Sequence, residues 1–336
     1  MIVEIAEAMN TRALALQVVG RFWESTTTLR GVLWLADRYS LTQSELRAYN
    51  NLSFMLLMAD PREGVAVAVA GIERARQVGS RTGATFLASN GASAALRIGD
   101  WATATSLVET WLEDEQDTMA GVELRSTKAI IAACRGEPDD GWMDRYDPIL
   151  TGSTDPQVPA VRRFTDGWAA LAEGRLEDAG TAAMEAAGHA TSYAVVAYPL
   201  ALRAALWAGD LERAAMAVAA FEALAVHGDA VEATRRSMRA GIAALHGRSE
   251  DAMHDALDAL ERWRILGARF EFAMTVLDVL ATGGAGQAWL EPAVDEARAN
   301  LRELGATRLL ARIKATGAPA SEPDHASDPV ASARPA

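Results

Sequence analysis

Eight times along this chain of 336 residues an apolar, helix-like run breaks at a short turn and restarts on a small residue, at a nearly constant interval. The clearest copies are Gly99-Asp-Trp-Ala-Thr-Ala104, Gly174-Arg-Leu-Glu-Asp-Ala179, Gly209-Asp-Leu-Glu-Arg-Ala214 and Gly247-Arg-Ser-Glu-Asp-Ala252. Weaker copies begin at Gly20, run from Ala59 to Gly64, begin at Gly136 and occupy the stretch from Gly284 to Leu290. They close on positions 25, 64, 104, 141, 179, 214, 252 and 290, so the period lies between 35 and 40 residues. A period that regular specifies stacked supersecondary units, each of which buries its apolar face only against a neighbour. It predicts one continuous array over residues 1–314 rather than two domains around separate cores.

Composition decides what the units are made of. Half of the residues are hydrophobic, Ala dominates and aromatics are 6%, with no β-branched runs bounded by turn pairs, so helix is favoured throughout. The expected fold is all-α. The net charge of −13 repels phosphate backbones and anionic lipid, which argues against nucleic acid and membrane surfaces as partners. No uncharged apolar stretch approaches the roughly 20 residues of a membrane span, and Met1-Ile-Val-Glu-Ile has no basic n-region. The single cysteine, Cys134, sits in the apolar run Ala129-Ile-Ile-Ala-Ala-Cys134 and reads as a small buried hydrophobe in a reducing cytoplasm.

Within a unit, the pattern predicts helix A, a turn, helix B and a second turn. Pro159 to Glu173 carries Val161, Phe164, Trp168 and Leu171 at helical spacing, Gly174 breaks the run, and Leu176 to Ala187 supplies the second helix. Asp155 or Gln157 is placed to cap the first of these. The small residues that close the motif, Ala104, Ala179, Ala214 and Ala252, are expected at the close approach of the two helices. A second glycine series, Gly188, Gly228, Gly267 and Gly305, is expected to end the B helices in a left-handed conformation. The fourth unit is the least regular: Pro148 and Thr151-Gly-Ser-Thr-Asp-Pro156 shorten its second helix and mark a point of flexure. Residues 315–336, with Pro319, Pro323, Pro329 and Pro335 and one large apolar residue, Val330, read as a disordered tail. At the other end the apolar pattern is already running at Ile2 and Ile5, with no polar capping helix before it.

Catalytic motifs are missing. There is no phosphate-binding Gly-x-x-x-x-Gly-Lys-Ser/Thr loop, no Gly-x-Ser-x-Gly elbow, no His-Glu-x-x-His helix and no Cys-x-x-Cys pair, so neither an enzyme nor a resident cofactor is expected. Gly283-Gly-Ala-Gly286 has neither the preceding strand nor the following Lys of a phosphate cradle and reads as the turn of the eighth unit. Asp251, His254, Asp255 and Asp258 share one helical face with metal-ligand chemistry. Opposite an apolar stripe of Ala252, Ala256, Leu257 and Leu260, they read as the solvated side of an amphipathic helix rather than as a metal site. Arg235, Arg236 and Arg239 form the one basic cluster, expected to pair with Glu232.

The unit resembles the tetratricopeptide repeat: small Gly167, Ala92, Ala129 and Ala240 in helix A, glycines at the turn, and Trp101, Leu176 and Leu211 in the bulky slot after it. The resemblance covers nearly all of residues 2–310. Pro138 and Ser249 depart from it in the bulky slot, Leu202 in the small position, and the period exceeds the family's usual length of about 34. The longer spacing is similar to that of repeats C-terminal to the ATPase module of bacterial signalling regulators, among them nucleotide cyclases and transcriptional regulators. The resemblance implies a right-handed α-solenoid of about eight antiparallel helix pairs that binds a protein or peptide on its concave face, either as a scaffold or as the regulatory segment of such a multidomain protein. It also implies which residues line that face: Ser89, Ser93, Glu123, Ser126, Phe164, Trp168, Arg203 and Ser237. These lack the Lys and Asn set with which some members clamp a peptide carboxylate. Phe164 and Trp168 are either anchors for an apolar side chain or rings buried between neighbouring A helices.

Overall fold

The computed structural model describes residues 1–112, 118–138, 141, 152–284 and 286–316, and among them every regular element is helical. The first seven helices are α1 (Ile2–Val18), α2 (Phe22–Tyr39), α3 (Thr42–Ala59), α4 (Pro61–Gln77), α5 (Arg81–Ile98), α6 (Trp101–Leu112) and α7 (Met119–Arg135). Of the expected flexure of the fourth unit, Pro148 and Thr151 lie outside the described residues; after residues 152–156 come α8 (Gln157–Glu173), α9 (Leu176–His189), α10 (Thr191–Ala208) and α11 (Leu211–Glu222). The last five are α12 (Asp229–Leu245), α13 (Ser249–Ile265), α14 (Arg269–Val279), α15 (Glu291–Leu304) and α16 (Thr307–Thr316). Of the expected tail, residues 315–336, the first two belong to α16, and the rest lies outside the described residues. No described helix is long and apolar enough to cross a membrane.

Helix breaks fall on the turns of the repeat. Gly99, Gly136, Gly174 and Gly209 each terminate a helix in the left-handed conformation, their N–H groups capping carbonyls of the last turn. Where the repeat lacks glycine, Asp60 ends α3 in extended backbone and its carboxylate accepts from the N–H groups of Arg62 and Glu63, starting α4 behind Pro61. The Asp155 carboxylate accepts from the Gln157 N–H in the same way ahead of α8. Consecutive helices pack on one another, and the short turns between them make neighbours antiparallel. At that approach Ala104, Ala179 and Ala214 have no exposed surface, whereas Ala252 is only half-buried. The second glycine series holds at Gly267 and Gly305, both at positive φ, whereas Gly228 (φ +138°, ψ 160°) does not end α11, which closes at Ala223 in right-handed backbone, but stands immediately before α12. Gly188 does not follow it: α9 continues through it to His189, and the chain turns at Ala190 in extended backbone. Gly79 takes the left-handed role after α4.

Helices far apart in sequence also meet. α3 packs on α12, α5 on α14, and both α7 and α8 on α16. Their ends interlock through backbone. Arg135 Nε donates to the Leu304 carbonyl oxygen at 3.2 Å, Thr307 Oγ1 donates to the Arg135 carbonyl oxygen, and Arg308 pairs with Glu173 at 3.3 Å. The approach is closest at Gly228 (φ +138°), where a Cβ would lie 2.3 Å from the Met58 carbonyl oxygen, so only glycine fits. The early part of the chain is thereby closed onto the late part, and the space enclosed is the cavity described next.

Candidate binding cavity

Between these two parts lies a cavity of ≈ 510 Å³ lined from α1, α3, α5, α7, α8, α10, α12 and α14, with Trp263 of α13. Seven of the eight residues expected on an inward face line it: Ser93, Glu123, Ser126, Phe164, Trp168, Arg203 and Ser237. Ser89 does not; it is buried behind Glu123 and donates through Oγ to Glu123 Oε2 at 2.9 Å. The residues therefore converge, but in an enclosed space rather than on an open wall.

The cavity has two polar poles. At one, Glu123 accepts from Ser89 and, at Oε1, from the Tyr193 hydroxyl at 3.2 Å. Burial pushes the Glu123 carboxyl above its usual range, the two hydroxyls opposing and Asp155 adding to the shift. Burial, then the adjacent Glu123, pushes the Tyr193 phenol up as well. At the other pole Arg203 spans Asp278 with Nε 3.1 and 3.0 Å from its two carboxylate oxygens, and Trp207 Nε1 donates to the same carboxylate at 2.8 Å. Glu271 lies 3.6 Å from both Arg203 and Arg97, and Arg97 also donates to the Leu57 carbonyl oxygen at 2.8 Å. Burial raises the Asp278 carboxyl against the pull of Arg203.

Aromatic rings join the poles. Trp168 is 6% exposed, with Phe270 at 5.7 Å, Phe164 at 6.5 Å and the Arg203 guanidinium 5.9 Å above its ring. Trp168 is thus a buried ring that also lines the cavity. Phe164 is half-buried, with Tyr193 at 5.9 Å and 64° to it. Ser126 and Ser237 make hydroxyl pairs with Thr165 at 2.6 Å and Thr275 at 3.0 Å. Trp263 Nε1 adds a hydrogen bond to Thr275.

Tyr193, Glu271, Asp278 and Arg97 are among the cavity residues that the repeat pattern did not single out. A signal for them exists in the spacing. Polar partners sit about one period apart, as in Asn50 with Asn90, Ser126 with Thr165 and Ser237 with Thr275, or about two periods apart, as in Arg203 with Asp278.

The other candidate sites are accounted for by neighbours. Arg236 pairs with Asp255 at 2.8 Å, Asp258 at 3.0 Å and Glu232 at 3.2 Å, which commits two carboxylates of the α13 face. Arg235 and Arg239 both reach Glu222, a partner the sequence did not suggest. Among the described residues no group of three or more His, Cys, Asp or Glu side chains is placed to hold a metal ion. Cys134 is fully buried, and its thiol is pushed up to about 12 by that burial. The Gly283 region is a wide turn, Leu280–Gly284, between α14 and α15.

No protein-family model matches this chain, and no curated protein is similar to its sequence.

Proposed function

We propose that the chain is a non-catalytic sensory module: a right-handed, tetratricopeptide-like superhelix of about eight helix pairs whose concave face closes into a ligand cavity. The closures that enclose it join residues 169 to 172 apart, roughly four and a half repeats of the sequence period. That half-integer brings an A-to-B turn against a B-to-A turn, as one superhelical turn stacked on the next requires. The observation that carries the reading is the cavity itself. Its ≈ 510 Å³ falls in the size class of small-molecule sites, and apolar rings with a few convergent polar groups are the usual lining of such sites.

In this reading the ligand sets how firmly the early and late helices close on each other. A protein partner reads the resulting change in pitch from outside, by population shift between open and closed arrays. The two events are separable by experiment. Native mass spectrometry of protein isolated from its own host, together with identification of co-purifying proteins, is compared between the natural chain and Ser93→Trp, which fills the cavity. A stoichiometric small molecule lost in Ser93→Trp, with partner capture altered, supports the sensor. Equal protein capture by both forms with no small molecule in either points to an ordinary open-surface scaffold.

A further inference from the structure

Resting on the cavity as the site of ligand entry, we infer that its ligand is an organic cation, with an ammonium or equivalent group paired to Glu123 and an apolar body against Phe164 and Tyr193. The inference starts from a charge inventory. Three carboxylates line the cavity, Glu123, Glu271 and Asp278, against two guanidiniums, Arg97 and Arg203. The guanidiniums are committed at the far pole: Arg203 to Asp278 at 3.0 Å and to Glu271 at 3.6 Å, Arg97 to Glu271 at 3.6 Å. Glu123 is left with two hydroxyl donors, Ser89 and Tyr193, and among the described residues no Lys, Arg or His side chain pairs with it.

A carboxyl in that position is costly without a positive partner, because neither hydroxyl supplies charge and the surroundings are poorly solvated. The two hydroxyl bonds also orient it. Each oxygen accepts one hydrogen bond from the protein and retains acceptor capacity for another donor. The rings beside it complete the recognition. Phe164 and Tyr193, with centroids 5.9 Å apart at 64°, form an aromatic corner adjoining the carboxylate, and π faces attract cations. On α10 the same wall carries Pro199, which has no N–H to give the Val195 carbonyl, and both residues line the cavity. Ser93, Thr127, Thr191 and Ser192 also bring hydroxyls to the cavity, and a hydroxyl can accept as well as donate, so these groups do not oppose a cation. An anionic ligand would find both guanidiniums already holding carboxylates, and only neutral hydroxyl donors besides.

Cation binding has a second consequence. Burial holds the empty-site Glu123 carboxyl towards its protonated form, with Asp155 reinforcing this and the Ser89 and Tyr193 hydroxyls opposing it. An entering cation restores the charged form, so binding releases protons.

The test uses three probes of similar size, 2-phenylethylammonium, 2-phenylethanol and 3-phenylpropanoate, titrated at millimolar concentration against the natural chain, Glu123→Gln and Tyr193→Phe, with ligand-detected NMR as readout. Circular dichroism first establishes that each variant is folded. The expected result is binding of the ammonium at least tenfold tighter than either control, loss of that preference in Glu123→Gln, and its retention in Tyr193→Phe. Equal or better binding of the alcohol or carboxylate, or an unchanged ammonium affinity in Glu123→Gln, overturns the cation assignment while leaving the cavity as a ligand site. Binding of none of the three to the natural chain overturns the cation assignment and the cavity reading together.

Discussion

Arg269 donates through Nε to the backbone carbonyl oxygen of Gly99 at 2.7 Å, although 170 residues separate them. Gly99 ends α5 and Arg269 begins α14, so one side chain joins the turn of an early unit to the helix start of a late one. Arg135 and Thr307 repeat the arrangement further along, each bonded to a backbone carbonyl across 169 and 172 residues. The guanidinium and hydroxyl donors satisfy carbonyls at helix ends that have no partner within their own helix. The cavity exists because these seams hold.

The seam is least tolerant at Gly228. Gly228→Ala adds a Cβ that would sit 2.3 Å from the Met58 carbonyl oxygen, at φ +138°, so backbone must shift. Urea unfolding should show a loss of about 2 kcal/mol or more, in the range for backbone strain at a position that cannot relax. Gly174→Ala is the control: its φ is +80° but a Cβ there meets nothing, and the cost should stay near the 1–2 kcal/mol of a left-handed residue. Bulk at Gly174 therefore acts through backbone conformation, not through crowding of the helix pair.

Removing one member of the buried ion pair should be worse than removing both. Asp278→Ala leaves Arg203, whose side chain is 7% exposed, with only Glu271 at 3.6 Å, and breaking such a buried pair typically costs about 3–5 kcal/mol. Arg203→Met combined with Asp278→Leu should recover most of that loss in the same unfolding assay.

Trp168→Ala should destabilise the fold by about 3–5 kcal/mol, as expected for an aromatic side chain deleted from a core. Its ring packs at a tilt against Phe270 and lies under the Arg203 guanidinium, which couples α8 to α14 and α10. A melting temperature unchanged by Trp168→Ala would contradict this placement.

Glu123 makes stability depend on pH in a definite direction. Its carboxyl is raised in the folded chain by burial, so the native state holds a proton that the unfolded state releases near pH 4.3. The contribution is fully present below that pH and is lost as pH rises through the higher folded value. Asp278, also raised by burial, acts in the same sense. Urea midpoints compared between acidic and mildly alkaline buffer should therefore fall less in Glu123→Gln than in the natural chain.

Much of the fold was legible because helix ends are local. Gly99, Gly136, Gly174 and Gly209 stop helices by backbone chemistry that a sequence displays. Gly188 misled for the same local reason: it sits exposed in the last turn of α9 with nothing near the place of its missing Cβ, and the helix runs on to His189 before the chain turns at Ala190. The inward residues were legible as a set, since one period brings Ser126 beside Thr165 and Ser237 beside Thr275. Closure was not. Whether Gly99 meets Arg269 depends on a small rotation per unit accumulated over several units, which no single residue encodes. Tyr193 escaped notice because its partner Glu123 is 70 residues away, on a helix that only the accumulated curvature brings near.

The most direct test of closure is an engineered disulfide between Gly20→Cys and Ala225→Cys. A Cβ at Gly20 would lie 3.3 Å from the Ala225 Cβ, close to the distance a disulfide needs. Cys134, buried and with its thiol held up to about 12, can stay in place. The control pairs Gly20→Cys with Gly247→Cys, where a Cβ meets nothing. Mild oxidation at low protein concentration should form an intramolecular bond in the first pair and none in the control, read as intact mass and electrophoretic mobility. Free thiols in both pairs, in folded protein, would contradict a closed array and with it the cavity.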